Sequence, residues 1–340
     1  MTKYTLPPLC PEHAVCPNCD GNAKGRIGVH SHKERRYKCH ECGKTFSDTT
    51  GTALYGLKHP HWVVVTVLTL LAFGCPIQAI VAAFGLDERT VSDWHERAGT
   101  HAKAVQESQV CQGALDLGQM QGDEMYLKTQ YGTVWLATAV SVFSRLLIWG
   151  AVSPERNGSL ITQVVQKVKE ASLPMQPILW ATDGFSAWKS AILKTFREPL
   201  RTGKRGRPRL VTWPDLHIVQ VIKRRTGRRL VSIERRLVHG LRSSAESMVF
   251  ASQGDIGLFN TAYVERLNAT IRTWMPAATR RSRTPAARHR RLDAAFFWMA
   301  AVYNFCHIHD SIQTAPAVAA GITDSPWSID QLLRFRPALE

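Results

Sequence analysis

The sequence predicts an α/β fold: a mixed sheet flanked by helices, preceded by a small cysteine-bearing module and a helical segment. Three observations carry this expectation. Residues 120–152 hold three consecutive strand-like runs, and a helix–strand–helix alternation follows them. Five of the eight cysteines crowd into the first 42 residues. The formal charge of +16 on 340 residues falls in one late stretch. At this length, with 44% hydrophobic residues, the chain can fill two or three domains.

Residues 1–52 form the first expected unit. Cys16-Pro-Asn-Cys19 and Cys39-His-Glu-Cys42 are two C-x2-C pairs nineteen residues apart. Each pair can present two thiolates to one ion, which is the spacing of a tetrahedral, structural Zn2+ site with a hairpin between the pairs. So small a segment needs the ion to fold. Cys10 could be a fifth, redundant thiol. The N-terminus lacks the apolar core of a secretory signal, so a reducing, cytoplasmic compartment is expected, where paired cysteines bind metal more often than they form disulfides.

Residues 53–118 read as helical. Trp62–Phe73 and Pro76–Phe84 are two helices, Gly85-Leu86 a turn, and Asp87–Ala98 a third, with a linker helix over 100–118. Two helices joined by a short Gly-containing turn fit a helix-turn-helix. Arg89, Thr90 and Ser92 would then meet DNA from the start of the recognition helix. A plain three-helix bundle fits the same pattern. Trp62–Leu86 carries no formal charge and is long enough to span a bilayer. Gly74-Cys75-Pro76 interrupts it, so two shorter buried helices, and no membrane contact, are expected.

Residues 119–310 form the expected core. Strands are expected at Met120–Leu127, Thr133–Ser141 and Leu146–Val152, a helix from Pro154 to Ala171, a strand at Pro177–Asp183, and a helix opening at Gly184. The order β-β-β-α-β-α, three antiparallel strands and a crossover to a fourth, is that of a ribonuclease-H-like fold. It places Asp123 in the first strand and Asp183 at the end of the fourth, and functional groups collect at such strand ends. Adjacent Asp123 and Glu124 face opposite sides of a strand, so one of them can face a site. A third carboxylate, Glu265, lies beside the apolar stripe Val264, Leu267, Ile271 of a later helix. Three carboxylates suit a pair of Mg2+ or Mn2+ ions, which prefer oxygen ligands and can act on a phosphodiester. Singly, Asp183 reads equally as a helix cap and Glu265 as a solvated charge.

Between Arg197 and Arg291 there are 22 Lys+Arg and 6 Asp+Glu, and the remainder of the chain is neutral. With a pI near 9.8, this points to a polyanionic partner, double-stranded DNA. An insertion at about 197–259 holds much of it. Gly203–Arg209 is similar to an AT-hook core, so Arg205, Arg207 and Arg209 could enter a minor groove or simply touch phosphates. His217–Ile222 reads as a fifth core strand, and Lys223, Arg224 and Arg225 after it as phosphate contacts.

Taken together, the Cys-x2-Cys pairs, the helix-turn-helix pattern, Asp123-Glu124, Thr182-Asp183-Gly184 and Glu265-Arg266-x-Asn268 with Arg272 resemble the IS1-type insertion-sequence transposases over nearly the whole chain. The resemblance implies a DDE transposase with a ribonuclease-H-like core and two divalent ions, acting on element ends and target DNA at a bacterial nucleoid. It implies Asp123, rather than Glu124, with Asp183 and Glu265 as the catalytic triad and metal ligands. It implies Arg272 as the basic residue that follows them. A dimer or larger synaptic assembly is expected, since two DNA ends must meet. The long insertion between Asp183 and Glu265 departs from shorter members. A DNA-binding regulator with an inactive catalytic domain and a structure-specific nuclease are the alternatives. In the last stretch, Phe296, Phe297, Trp298 and Tyr303 read as core, and Cys306-His307-Ile308-His309 has metal-ligand types without a second pair. Residues 311–340 form a tail with a short docking helix.

Overall fold

The computed structural model describes residues 9, 11, 14, 16–19, 26–200, 207–227, 229–254, 257–279 and 288–337. The readings placed on Cys10 and Arg205 lie outside the described residues.

The cysteine module is a three-stranded antiparallel sheet, β1 (Ile27–Ser31), β2 (Arg36–Cys39) and β3 (Thr45–Ser47). Its core is small: Ala14, Cys16, Tyr37, Cys39 and Phe46, with the Tyr37 and Phe46 rings 5.6 Å apart. Gly43, at φ 73°, makes the left-handed turn that closes the second cysteine pair. Arg35 Nε donates to Asp48 Oδ2 at 2.6 Å, and Arg336 Nε to the Thr50 carbonyl at 3.0 Å, tying the C-terminal segment to the end of the module.

Three helices follow: α1 (His61–Ala72), α2 (Ile77–Phe84) and α3 (Glu88–Val110). Gly85 ends α2 in a left-handed C-cap. Asp87 Oδ1 then accepts from the N–H groups of Arg89 and Thr90, at 2.9 and 3.3 Å, to start α3. The expected break between a third helix and a linker helix is absent: α3 runs through Gly99 for 23 residues. A Cβ on Gly99 would lie 2.0 Å from the Ala294 carbonyl oxygen, so this glycine serves close helix packing instead of ending the helix. No described helix is long and apolar enough to cross a membrane.

Strands β4 (Gln119–Thr129), β5 (Gly132–Ser141) and β6 (Leu147–Ser153) form an antiparallel meander. Helix α4 (Gly158–Ala171) crosses over to β7 (Ile178–Thr182), parallel to β4. It starts later than Pro154 because Asn157 Oδ1 accepts from Leu160 N–H at 3.1 Å and so sets the N-cap. Helix α5 (Ser186–Thr195) leads to a two-stranded hairpin, β8 (Arg197–Leu200) and β9 (Arg209–Thr212). Then β10 (Leu216–Thr226) returns parallel to β7, and β11 (Arg229–His239) pairs antiparallel to it at the edge. The six-stranded mixed sheet has the order β11-β10-β7-β4-β5-β6.

Helices cover both faces, and the period of two decides which residue meets which. Ala137, Ala139 and Ile148 share a core with Leu160, Ile161, Val164 and Trp188 of α4 and α5. Met125, Leu136 and Leu147 pack instead against α7 (Ala262–Trp274) and α8 (His289–Ala301) through Leu267, Ile271, Phe296 and Phe297. Helix α6 (Arg242–Gln253) covers β10 through Ala245 and Val249. The outer edge of β6 is closed by buried amides: Gln106 Nε2 donates to the Leu147 carbonyl at 2.7 Å, and Asn304 Oδ1 accepts from Leu147 N–H at 3.0 Å. Past the short α9 (Pro316–Ala319), α10 (Ile329–Arg334) buries Leu332 and Leu333 in the same core as α1 and α3, so the tail docks as a helix.

Candidate active site

The register of β4 against β7 builds the site. Gly122 pairs with Thr182, so Asp123 and Asp183 each stand one residue further along adjacent parallel strands. There β7 ends, and the backbone is free to open a cleft. The cleft, about 350 Å³, is lined by Asp123, Asp183, Lys223, Arg225, Thr261 and Glu265, among others. Elements far apart in sequence therefore bring all three expected carboxylates to one cavity.

Their spacing is uneven. Asp123, Glu124 and Asp183 each place a carboxylate oxygen within 4.8 Å of the others. Glu265 lines the same cleft but is not in that cluster. It is ion-paired to Lys223, and its Oε1 accepts from Thr261 Oγ1 at 2.5 Å. Arg272 lies in the last turn of α7, seven residues beyond Glu265, and does not line the cleft.

Burial, with Glu124, Asp183 and Glu265 adding like charge, pushes the Asp123 carboxyl up to about 7. Asn268 Nδ2 donates to its Oδ2 at 2.7 Å. Glu124 leaves β4 on the other face and is nearly fully buried, yet its carboxylate still reaches the cluster, so both adjacent acids and not one alone stand at the site. Trp188 Nε1 donates to its Oε2 and Arg156 Nε to its Oε1, each at 2.7 Å. Burial, and Asp183 beside it, hold Glu124 above the ordinary carboxylate range, against the pull of those two donors. Arg156 also comes within 3.7 Å of Asp183 and stacks over the Phe185 ring, so one guanidinium braces two of the three acids. Asp183 Oδ1 accepts from Phe185 N–H at 2.9 Å, so it does turn the chain into α5, while its Oδ2 faces Arg156.

Three carboxylates held this close, one of them with its charge suppressed by burial and by its neighbours, suit a divalent cation with oxygen preference. Two supports of the site were not expected from the sequence. Gln121, on the Asp123 side of β4, accepts from the N–H groups of Tyr263 and Val264 at 3.0 Å each, and its Nε2 donates to the Asn260 carbonyl at 2.7 Å. It thus caps α7, whose own N-cap, Thr261, makes no side-chain capping bond. Arg156 is the second. Spacing by two from Asp123 was the only signal for Gln121, and Arg156 offered none.

The four cysteines also converge. Cys16 and Cys42 Sγ lie 3.7 Å apart, and Cys19 and Cys39 Sγ 3.8 Å. A tetrahedron with Zn–S bonds of ~2.3 Å has edges of about 3.8 Å, so Cys16, Cys19, Cys39 and Cys42 can hold zinc.

The basic residues scatter. Arg89 is exposed at the start of α3 and Thr90 half-buried, but Ser92 is buried and withdrawn from that face by the packing of α3. Arg207 and Arg209 are exposed on the descending side of the β8–β9 hairpin. Lys223 turns into the cleft toward Glu265, whereas Arg224 comes within 3.5 Å of Glu234 on β11. Arg225 is exposed and lines the cleft mouth. The chain matches no protein-family model and no curated protein sequence at a significant level.

Proposed function

We propose that the protein is a DDE transposase of the IS1 type, which cuts DNA at the ends of an insertion sequence and joins them to target DNA. One observation carries the reading: Asp123, within β4, meets Asp183 just past the end of the adjacent parallel strand β7, in a cleft that also holds Glu265, with Lys223 and Arg225 at its wall. The strand order, a meander joined by a crossover to two parallel strands, is that expected of a ribonuclease-H-like core. The α2–α3 pair with its Asp87 cap serves as a helix-turn-helix in this reading, and the cysteine module as a zinc knuckle beside it.

Asp123 and Asp183 would hold Mg2+ or Mn2+, with Glu124 or Glu265 completing the set. When bound, such ions supply Lewis acidity at the phosphodiester and favour a deprotonated attacking hydroxyl. The protein's own groups do the remaining work. Asn268 fixes the Asp123 carboxylate, Gln121 fixes the helix that carries Glu265, and Arg225 offers a cation to the incoming phosphate. Water is the nucleophile for cleavage and the freed 3′-hydroxyl for joining, so no covalent protein–DNA link forms.

The test incubates purified protein and Mg2+ or Mn2+ with DNA carrying the inverted repeats that flank the gene. Strand-transfer products are expected; cleavage without joining would mean a nuclease, and binding alone a regulator. Asp123→Asn, Asp183→Asn and Glu265→Gln should each abolish both steps while retaining DNA binding and fold. Retained cleavage in all three would overturn the site.

A further inference from the structure

A second pocket, about 250 Å³, lies beside α7 and is lined by Arg145, Tyr263, Arg266, Tyr303, His309 and Ser311, among others. It lies apart from the carboxylate cleft, with which it shares no lining residue. None of the residues lining it is acidic. Neither guanidinium has a carboxylate partner among the described residues, although Arg145 is half-buried. Arg145 Nη1 is buried with no hydrogen-bond partner, while its Nε donates to Ser311 Oγ at 3.2 Å. Its guanidinium stacks 4.3 Å over the Tyr263 ring. A buried, unpaired cationic donor is costly and calls for an anion.

The surrounding groups agree. His309 Nδ1 accepts from Ser311 N–H at 3.2 Å, which leaves the ring proton on Nε2 as a donor. Burial holds His309 below its ordinary value, with Arg145, His307 and Arg266 adding to the effect, so no compensating negative charge dominates there. Asp310, which opposes that lowering at both His307 and His309, does not line the pocket. Arg145 holds this position on a left-handed backbone, φ 62°, a conformation that costs a non-glycine residue on the order of 1 kcal/mol. The Arg145 and Arg266 charges beside His309 disfavour a metal ion there.

We propose that Arg145, Arg266 and His309 form a binding site for one phosphate group, either free phosphate or a phosphodiester of a nucleic-acid strand. Two guanidiniums, an imidazole N–H and flanking hydroxyls match its tetrahedral oxygens. The site stands independently of the transposase reading, because it needs neither divalent metal nor catalysis.

Inorganic phosphate titrated into the full chain without added divalent metal, followed by 31P NMR line width, tests it. Saturable binding is expected, weakened about tenfold or more in Arg145→Gln and in the exposed Arg266→Gln, and unchanged in Lys194→Gln, exposed in the last turn of α5. Arg266→Gln lies on a helix surface and keeps the test open should Arg145→Gln fail to fold. No saturable binding, or equal weakening in Lys194→Gln, overturns the proposal. A mixed-sequence oligonucleotide then separates the sources. If a strand phosphate is the ligand, Arg266→Gln lowers the slope of log affinity against log salt by about one. If the slope is unchanged while phosphate binding is lost, the ligand is free phosphate.

Discussion

Gln121 on β4 caps helix α7 at Val264: its side-chain oxygen accepts the Val264 N–H at 3.0 Å, across 143 residues of sequence. The same oxygen takes the Tyr263 N–H, also at 3.0 Å. One strand residue thus satisfies two of the helix donors that otherwise need a local cap. Because Asp123 is two residues along the same face of β4, and Glu265 one residue beyond Val264, this contact sets the distance between the two acids.

Replacing Gln121 with Leu should therefore do two things. It leaves two buried N–H groups unpaired and should cost about 1–3 kcal/mol, read as a lower midpoint in urea. It should also reduce metal-dependent activity more than stability explains, at a temperature where the variant remains folded. Equal stability of the Leu variant and the wild type would show that the cap holds nothing.

Asp123 gives a pH prediction with a definite sign. Its folded value near 7 stands above the ordinary carboxylate value, 3.8. The folded state therefore holds the proton that the unfolded state releases, and stability falls as pH rises through the window from about 4 to 7. Asp123→Asn removes the penalty. In metal-free protein it should raise stability above pH 7 by roughly 1–3 kcal/mol, discounting for partial exposure, and make no difference near pH 4. A variant less stable than wild type at pH 8 would contradict the assignment.

The sheet was legible in the sequence because its signal is local. Val134, Leu136 and Val140, or Ile161, Val165 and Val168, declare their face by spacing alone. The third helix, expected to end at Ala98, runs on for a physical reason: Gly99 weakens an isolated helix, but here contact with Ala294 more than offsets that cost. Strand β11 was hidden because its arginines and exposed face disguise the alternation, and α6 has few buried positions. Of the site, Asp123, Asp183 and Glu265 were visible through the resemblance. The bonds from Arg156 to Glu124 and from Asn268 to Asp123 were not, since they join residues 32 and 145 apart and rest on the tertiary arrangement.

The cysteine module should depend on zinc. Its core beyond the cysteines is little more than Ala14, Tyr37 and Phe46, too small to stand alone. Stripping the metal, or Cys39→Ser, should increase amide exchange across β1–β3 while the six-stranded sheet, with its separate cores, keeps its protection. Zinc content measured by elemental analysis should be close to one ion per chain. Unchanged exchange in β1–β3 after metal removal would assign the cysteines another role.

Lys223 offers a test with two readouts of opposite sign. Its ammonium pairs with Glu265 and faces the cleft that Asp123 and Asp183 line. Any divalent cation entering that cleft meets this positive charge, and any phosphate gains from it. Lys223→Met should therefore tighten Mn2+ binding, by roughly twofold to fivefold for a partly exposed charge, as followed by the electron paramagnetic resonance of free Mn2+. The same substitution should weaken DNA binding, and the loss should shrink as salt is raised. A structural role for the pair predicts something else: a lower unfolding midpoint, with both affinities falling together. Movement of the two affinities in opposite directions separates an electrostatic role in the site from a brace for α7.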